Sequence, residues 1–151
     1  MQLTIRRASA QDATVLASLR RRWTEEEVDG PIDDPEFEER FAAWLDGPAR
    51  DRVSWLAFEP ARAIGMLNLS VFHRMPRPGQ PDRRWGYVAN VYVVAEARRR
   101  GVGAMLLDAV VAHARCEEFV RLVLSPSERS IPFYRRAGFG PADGLMVRVM
   151  R

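Results

Sequence analysis

Apolar and polar residues alternate from Leu3 to Arg7, the period of a half-buried strand. Ser9 and Asp12 stand at capping-box spacing and open a helix with Val15, Leu16, Leu19 and Trp23 on one face. Gly30-Pro31 breaks that helix. Asp34 then offers an N-cap and Pro35 a first helical position. The second helix presents Phe37, Phe41, Trp44 and Leu45 and ends at Gly47-Pro48. Val53 to Glu59 and Ala63 to Phe72 follow as an antiparallel hairpin, because only Pro60-Ala61-Arg62 separates them.

His73 to Arg84 is punctuated by Pro76, Pro78, Gly79 and Pro81 and reads as a loop. Trp85 to Val94 is a strand dense in β-branched and aromatic residues. Arg100 to Cys116 has the strongest helical stripe, carried by Val102, Leu106, Ala109 and Val110. Val120 to Leu124 is a short buried strand, Ile131 to Ala137 a short helix closed by Gly138, and Leu145 to Met150 a last strand. The order β-α-α-β-β-β-α-β-α-β predicts one mixed α/β domain over residues 1–151, a hairpin meander followed by a βαβ crossover.

Composition narrows the chemistry. Every one of the 23 basic residues is arginine. A chain without lysine has no Schiff-base or Walker-type phosphate lysine. The net charge of +3 is too small to indicate nucleic-acid binding by itself. Cys116 is the sole cysteine, and with His73 and His113 it makes a poor metal set, so no metal is expected. The stretch from Met1 to Arg7 lacks a secretory apolar run, and no segment reaches bilayer length. A cytoplasmic protein without membrane or nucleic-acid partners is the expectation.

The segment from Val91 to Ala104 breaks two local rules. Gly101 and Gly103 each cost about 1 kcal/mol inside a helix relative to alanine. Arg98, Arg99 and Arg100 crowd a helix start that favours negative charge. A bound anion resolves both conflicts, since glycines let a phosphate reach the first-turn amides and arginines supply countercharge. The alternative is a frayed helix start with solvated arginines. A dinucleotide fingerprint fits badly, because Leu106 stands where its third glycine belongs.

Arg98-x-x-Gly101-x-Gly103 after a valine-rich strand resembles the acetyl-CoA pyrophosphate motif of the GNAT acyltransferase superfamily. Pro132-Phe133-Tyr134-Arg135-Arg136-Ala137-Gly138-Phe139 resembles its aromatic-Tyr-x-x-x-Gly-Phe segment. The resemblance implies a GNAT-type domain, a twisted mixed sheet of about six to seven strands flanked by about four helices. It also implies acetyl-CoA as co-substrate and an amine acceptor. By the same resemblance Val91, Tyr92 and Val93 bind pantetheine through their backbone, with an N–H near Val93 meeting the oxyanion. The amides of Arg99, Arg100, Gly101, Val102, Gly103 and Ala104 cradle the pyrophosphate beside Arg98. Ser127 stands where the family commonly has asparagine, and Ala95 where it often has proline.

Tyr134 is the catalytic candidate on the same resemblance, since a phenol is protonated at neutral pH and can supply the departing thiolate with a proton. The alternative is a tyrosine packed beside Phe133 and Phe139. No general base is identifiable: Asn90 is an amide, and Glu26 or Glu27 would act only through water. Nine carboxylates between Glu25 and Glu39 would attract a small cationic acceptor, unless they are only exposed helix faces and caps. A protein or peptide amine is the second acceptor class. A non-catalytic acyl-CoA-binding regulatory module is the competing function, and relatives that are often dimers allow a homodimer.

Overall fold

The computed structural model describes residues 2–47 and 51–151, so Met1 and Pro48 of the helix-ending pair lie outside it. The strands are β1 (Thr4–Arg7), β2 (Arg52–Glu59), β3 (Arg62–His73), β4 (Arg84–Val93) and β5 (Leu122–Val123). The helices are α1 (Ala13–Val28), α2 (Phe37–Asp46), α3 (Val102–Cys116) and α4 (Ile131–Arg136), with short 3-10 turns at Ala10–Asp12, Ala95–Ala97 and Glu128–Ser130. The five strands lie in chain order, antiparallel except for β4 and β5, which run parallel across the α3 crossover.

The two faces of the sheet are covered by different helices. On one, Trp23 of α1 stacks on Tyr92 of β4, with ring centroids 5.5 Å apart. On the other, Trp55 meets His113 of α3 edge-on. Gly65 lets α3 approach there, because a Cβ at that point would lie 3.3 Å from Leu106 and 3.4 Å from Val102. Leu56, Ile64, Leu67, Leu69, Leu106 and Val110 are buried between these layers. Burial of such side chains contributes roughly 1.5–3 kcal/mol each.

Several boundaries depart from the sequence reading. The capping box at Ser9 and Asp12 forms, but it caps the 3-10 turn that leads into α1. Asp34 does not cap α2, which begins after Glu36; its carboxylate binds Arg40 instead. Arg100 and Gly101 precede α3, with Gly101 as a left-handed N-cap at φ 80°, so Gly101 carries no helix-interior cost.

The sheet has five strands, not six to seven, because Leu145 to Met150 pairs with nothing among the described residues. Its side chains stand in solvent, Met146 at 99% and Val147 at 86% exposure. The pattern of that segment is strand-like, but a strand needs a neighbour to satisfy its backbone.

Candidate active site

Beyond Tyr87, β4 loses its neighbour on the β5 side, since only Gly86 with Leu122 and Tyr87 with Val123 are paired there. Just past that point the register slips between Met66 and Asn68, so Asn90 and Val91 share the space opposite Leu67. Asn90 takes a left-handed conformation at φ 56°, which asparagine tolerates better than most residues. The bulge reverses which backbone groups face outward.

Val94 N–H donates to Ile64 O at 2.9 Å, and Tyr92 stands in register with Met66, so both turn their backbone toward β3. Alternation therefore directs the N–H and C=O groups of Val91 and Val93 to the open edge. Arg98 Nε donates to Val93 O at 2.9 Å from that side. Of the three residues expected to offer backbone contacts, Val91 and Val93 face the gap, and Tyr92 does not.

The open edge leads to the start of α3. Arg99 and Gly101 are both left-handed, at φ 60° and 80°. Met105 N–H to Gly101 O is the first bond of the helix, which leaves the amides of Val102, Gly103 and Ala104 without helical acceptors. Gly103 has a packing role as well: a Cβ there would stand 3.1 Å from the Phe133 ring of α4. A Cβ on Gly101 would meet open space. These groups suit a pyrophosphate: free amides, the positive end of a helix and a surface without side-chain obstruction.

The arginines of this loop are less free than their sequence suggests. Arg98 pairs with Glu26 at 2.5 Å and Arg100 pairs with Glu59. Arg99 has no carboxylate partner among the described residues. Burial works to raise the Glu26 pKa, but hydrogen bonds from Arg98 and Tyr92 outweigh it and hold the carboxyl below its usual range. Glu26 is thus a poor base. Tyr92 O–H donates to Glu26 at 2.9 Å, and burial followed by that bond pushes its phenol up to about 12.

Tyr134 is half-buried on α4, edge-on to Phe133 at 5.0 Å and to Phe139 at 5.9 Å. Burial raises its pKa above the ordinary value, so it stays protonated at neutral pH. Ser127 donates its hydroxyl to Ser130 Oγ at 3.0 Å, within its own turn.

A second cleft, of about 310 Å³, lies on the α1 and α2 side of the sheet and reaches Asn90 at the bulge. Arg21 holds its cover in place. It donates to Glu38 at 2.8 Å, to Ile32 O at 2.8 Å and to Asp34 O at 2.6 Å, joining α1 to the connection and α2. The acidic run expected to form a wall does not line this cleft. Glu25, Asp34 and Glu38 pair with Arg21 and Arg40, and Glu26 with Arg98. The cleft itself, including Ser54 and Asn68 deep in its wall, had no local signal in the sequence.

The proline-rich loop stands before the start of β4, about 30 Å of strand from Val93. His113 packs between Trp55 and Phe119, and burial lowers its pKa. No group of three or more His, Cys, Asp or Glu side chains among the described residues could hold a metal ion.

The sequence pattern of the acetyltransferase (GNAT) family matches residues 15–139. A glucosamine 6-phosphate N-acetyltransferase of Trypanosoma brucei brucei is 30% identical over 78 residues, 52% of this chain and 51% of that protein. The chain thus matches about half the length of that relative. A predicted acetyltransferase of Clostridium acetobutylicum, solved with acetyl-CoA, superposes with a TM-score of 0.77 at 21% identity, covering 98% of this chain and 96% of that one. An aminoglycoside acetyltransferase from an uncultured soil metagenomic sample, in complex with trehalose, also gives 0.77, at 17% identity and with 99% and 95% coverage. At these identities the structures speak to the fold.

Proposed function

The chain belongs to the GNAT acetyltransferase family, and from that premise we propose that it moves the acetyl group of acetyl-CoA to the primary amine of a small acceptor. The observation that carries this reading is the continuity of the open β4 edge at Val91 and Val93 with the free amides of Val102, Gly103 and Ala104. A thioester cofactor needs an extended backbone for its amide-bearing arm and an anion site for its pyrophosphate, next to each other.

Acetyl-CoA supplies an acyl thioester: the amine nitrogen bonds to its carbonyl carbon, the carbon–sulfur bond breaks, and the thiol leaves. The chain's own groups then have distinct tasks. The Val93 N–H is the donor for the carbonyl oxygen, a preorganised dipole that requires no reorganisation. The first-turn amides of α3 hold the pyrophosphate, with Arg99 and the arginines beside it as countercharge and Ser127 as a further polar contact. Tyr134 gives a proton to the departing sulfur, for which a protonated, half-buried phenol is suited. The amine loses one proton to water in forming the amide, and Tyr134, having protonated the sulfur, regains its own proton from solvent. Since Glu26 is held by Arg98 and Tyr92, the neutral amine is drawn from solution.

The name of the trypanosomal relative places a phosphorylated amino sugar among the acceptors to try. The direct test is the melting temperature with acetyl-CoA, with ATP and NAD as controls. Ligand at about a hundredfold above its Kd adds roughly 2.7 kcal/mol, a rise of roughly 5–11 °C for a chain of this size. A rise with acetyl-CoA alone, followed by thiol release in the presence of an amine, is the expected outcome. No shift at saturating acetyl-CoA would sink the reading.

A further inference from the structure

The cleft under α1 and α2 has a chemical character of its own. Its walls are apolar, formed by Leu16, Phe37, Phe41, Trp44 and Met66. Its charged lining residues are both arginines, Arg20 and Arg40, and no carboxylate lines it among the described residues. Arg40 is already matched by Asp34, through two bonds of 3.1 and 2.8 Å. Arg20 has no such partner among the described residues. Its guanidinium lies 4.5 Å from the Trp23 ring centroid, and Trp23 is itself stacked on Tyr92.

A guanidinium seated on an aromatic face is held in place while its N–H edges stay available to an anion. Deeper in, Ser54 and Asn68 are buried polar residues facing the same cleft. Ser54 Oγ donates to Asn68 Oδ1 at 3.1 Å, leaving the Asn68 amide N–H groups to donate to a ligand. Asn90, at the bulge beside the open edge of β4, lines the same space.

We infer that this cleft takes an amine that also carries a carboxylate and an apolar body, the chemistry of a hydrophobic α-amino acid, with the carboxylate held by Arg20. Each part of such a molecule has a counterpart: the apolar body meets the aromatic wall, and the carboxylate meets Arg20, the lining guanidinium without a counter-ion among the described residues. The amine is directed toward the bulge at Asn90. The volume of about 310 Å³ is at the low end for small-molecule sites and suits a single amino acid. A polyamine would bring further positive charge to a cleft with no carboxylate among its described lining residues. A phosphorylated sugar offers the anion without the apolar body. The inference rests on the acetyl-transfer reading only for what happens to the amine after it binds.

Two measurements separate the inference from that reading. Calorimetry in the presence of coenzyme A reads binding of L-phenylalanine, L-leucine, phenethylamine, glucosamine 6-phosphate and spermidine. Thiol release with acetyl-CoA reads transfer to the same amines. L-Phenylalanine should bind at least about tenfold more tightly than phenethylamine, which lacks the carboxylate. That preference should collapse toward one in Arg20→Met, which keeps the packing stem, and recover in part in Arg20→Lys. Equal binding of the two ligands, an undiminished preference in Arg20→Met, stronger binding of spermidine or glucosamine 6-phosphate, or no binding by any of the five would each overturn the inference. Binding of L-phenylalanine through Arg20 with no transfer to any amine would instead sink the acetyl-transfer reading and leave the carboxylate site standing.

Discussion

Arg98 Nη2 lies 2.5 Å from Glu26 Oε1, joining the loop before α3 to the last turn of α1. The same guanidinium donates through Nε to Val93 O. One side chain therefore connects three parts of the proposed site: the open strand edge, the anion loop and the acceptor-side helix. Its charge is partly spent before any phosphate arrives.

Replacing Arg98 with alanine should weaken acetyl-CoA binding by about tenfold or more, since a charge-assisted hydrogen bond contributes roughly 1.5–3 kcal/mol. The melting temperature should move little, because the ion pair is half-exposed. Glu26→Gln should do the opposite and tighten binding severalfold by removing the competing carboxylate. Calorimetric titration of both variants reads the two signs. An unchanged Kd in Arg98→Ala would place the pyrophosphate elsewhere.

Tyr134→Phe keeps the contacts with Phe133 and Phe139 and deletes only the hydroxyl. We expect kcat to fall about a hundredfold, within the range for a general acid, with the melting temperature unchanged. The wild-type pH profile carries a second signature. Burial raises the Tyr134 pKa above its ordinary value, so kcat should show no falling limb across the neutral and mildly alkaline range. The rising limb should have unit slope up to the pKa of the acceptor amine, because no carboxylate or imidazole lines the proposed acceptor cleft among the described residues. A plateau near pH 6 would reveal a base in the enzyme.

Acid stability should be dominated by Asp12, buried with two bonds from Arg6 at 2.8 Å and one from the Ser9 N–H at 2.7 Å. Arg6 first, then Ser9, holds its pKa well below the usual carboxylate value. The folded protein therefore binds fewer protons here than the unfolded chain. The contribution is full above about pH 4 and is lost as pH falls through the depressed folded value. Asp12→Asn should cost about 2 kcal/mol at pH 7, and its deficit against the wild type should narrow below pH 4. A deficit independent of pH would assign the effect to packing alone.

Gly103→Ala places a Cβ 3.1 Å from the Phe133 ring, which then has to give way and carry Tyr134 with it. Activity should drop by about tenfold, the scale expected for a small misplacement of a catalytic group. The gain in helix propensity, about 1 kcal/mol, should keep the melting temperature nearly level. The second change Phe133→Leu should recover most of the activity. If the single variant is fully active, the contact does not position Tyr134.

The capping box at Ser9 and the helix ending at Cys116 were legible because each is set by residues a few positions apart. So was the strand-to-helix passage through Gly101, where local rules were broken in one turn. Less legible were features created by distant parts of the chain. Asp34 has the side chain of an N-cap, yet Arg40 competes for its carboxylate and takes it. The run from Glu25 to Glu39 resembles an acidic wall, yet Arg21, Arg40 and Arg98 draw four of its carboxylates away from the cleft. Leu145 to Met150 has the apolar, β-branched composition of a strand but finds no neighbour among the described residues.

The sequence by itself carried the family resemblance in its two motifs, and it determined the α/β order as far as α4 and the glycine-bearing helix start, because spacing along the backbone fixes which first-turn amides are free and which faces are apolar. Only the tertiary structure decided that Val91 and Val93 face the open edge, that Arg20 has no counter-ion among the described residues, and that the cleft under α1 and α2 is apolar and cationic. The reason is physical: hydrogen-bond direction after a bulge depends on the register of the neighbouring strand, and the charge of a cleft depends on which side chains neutralise one another across space. Neither can be read from spacing along a single chain.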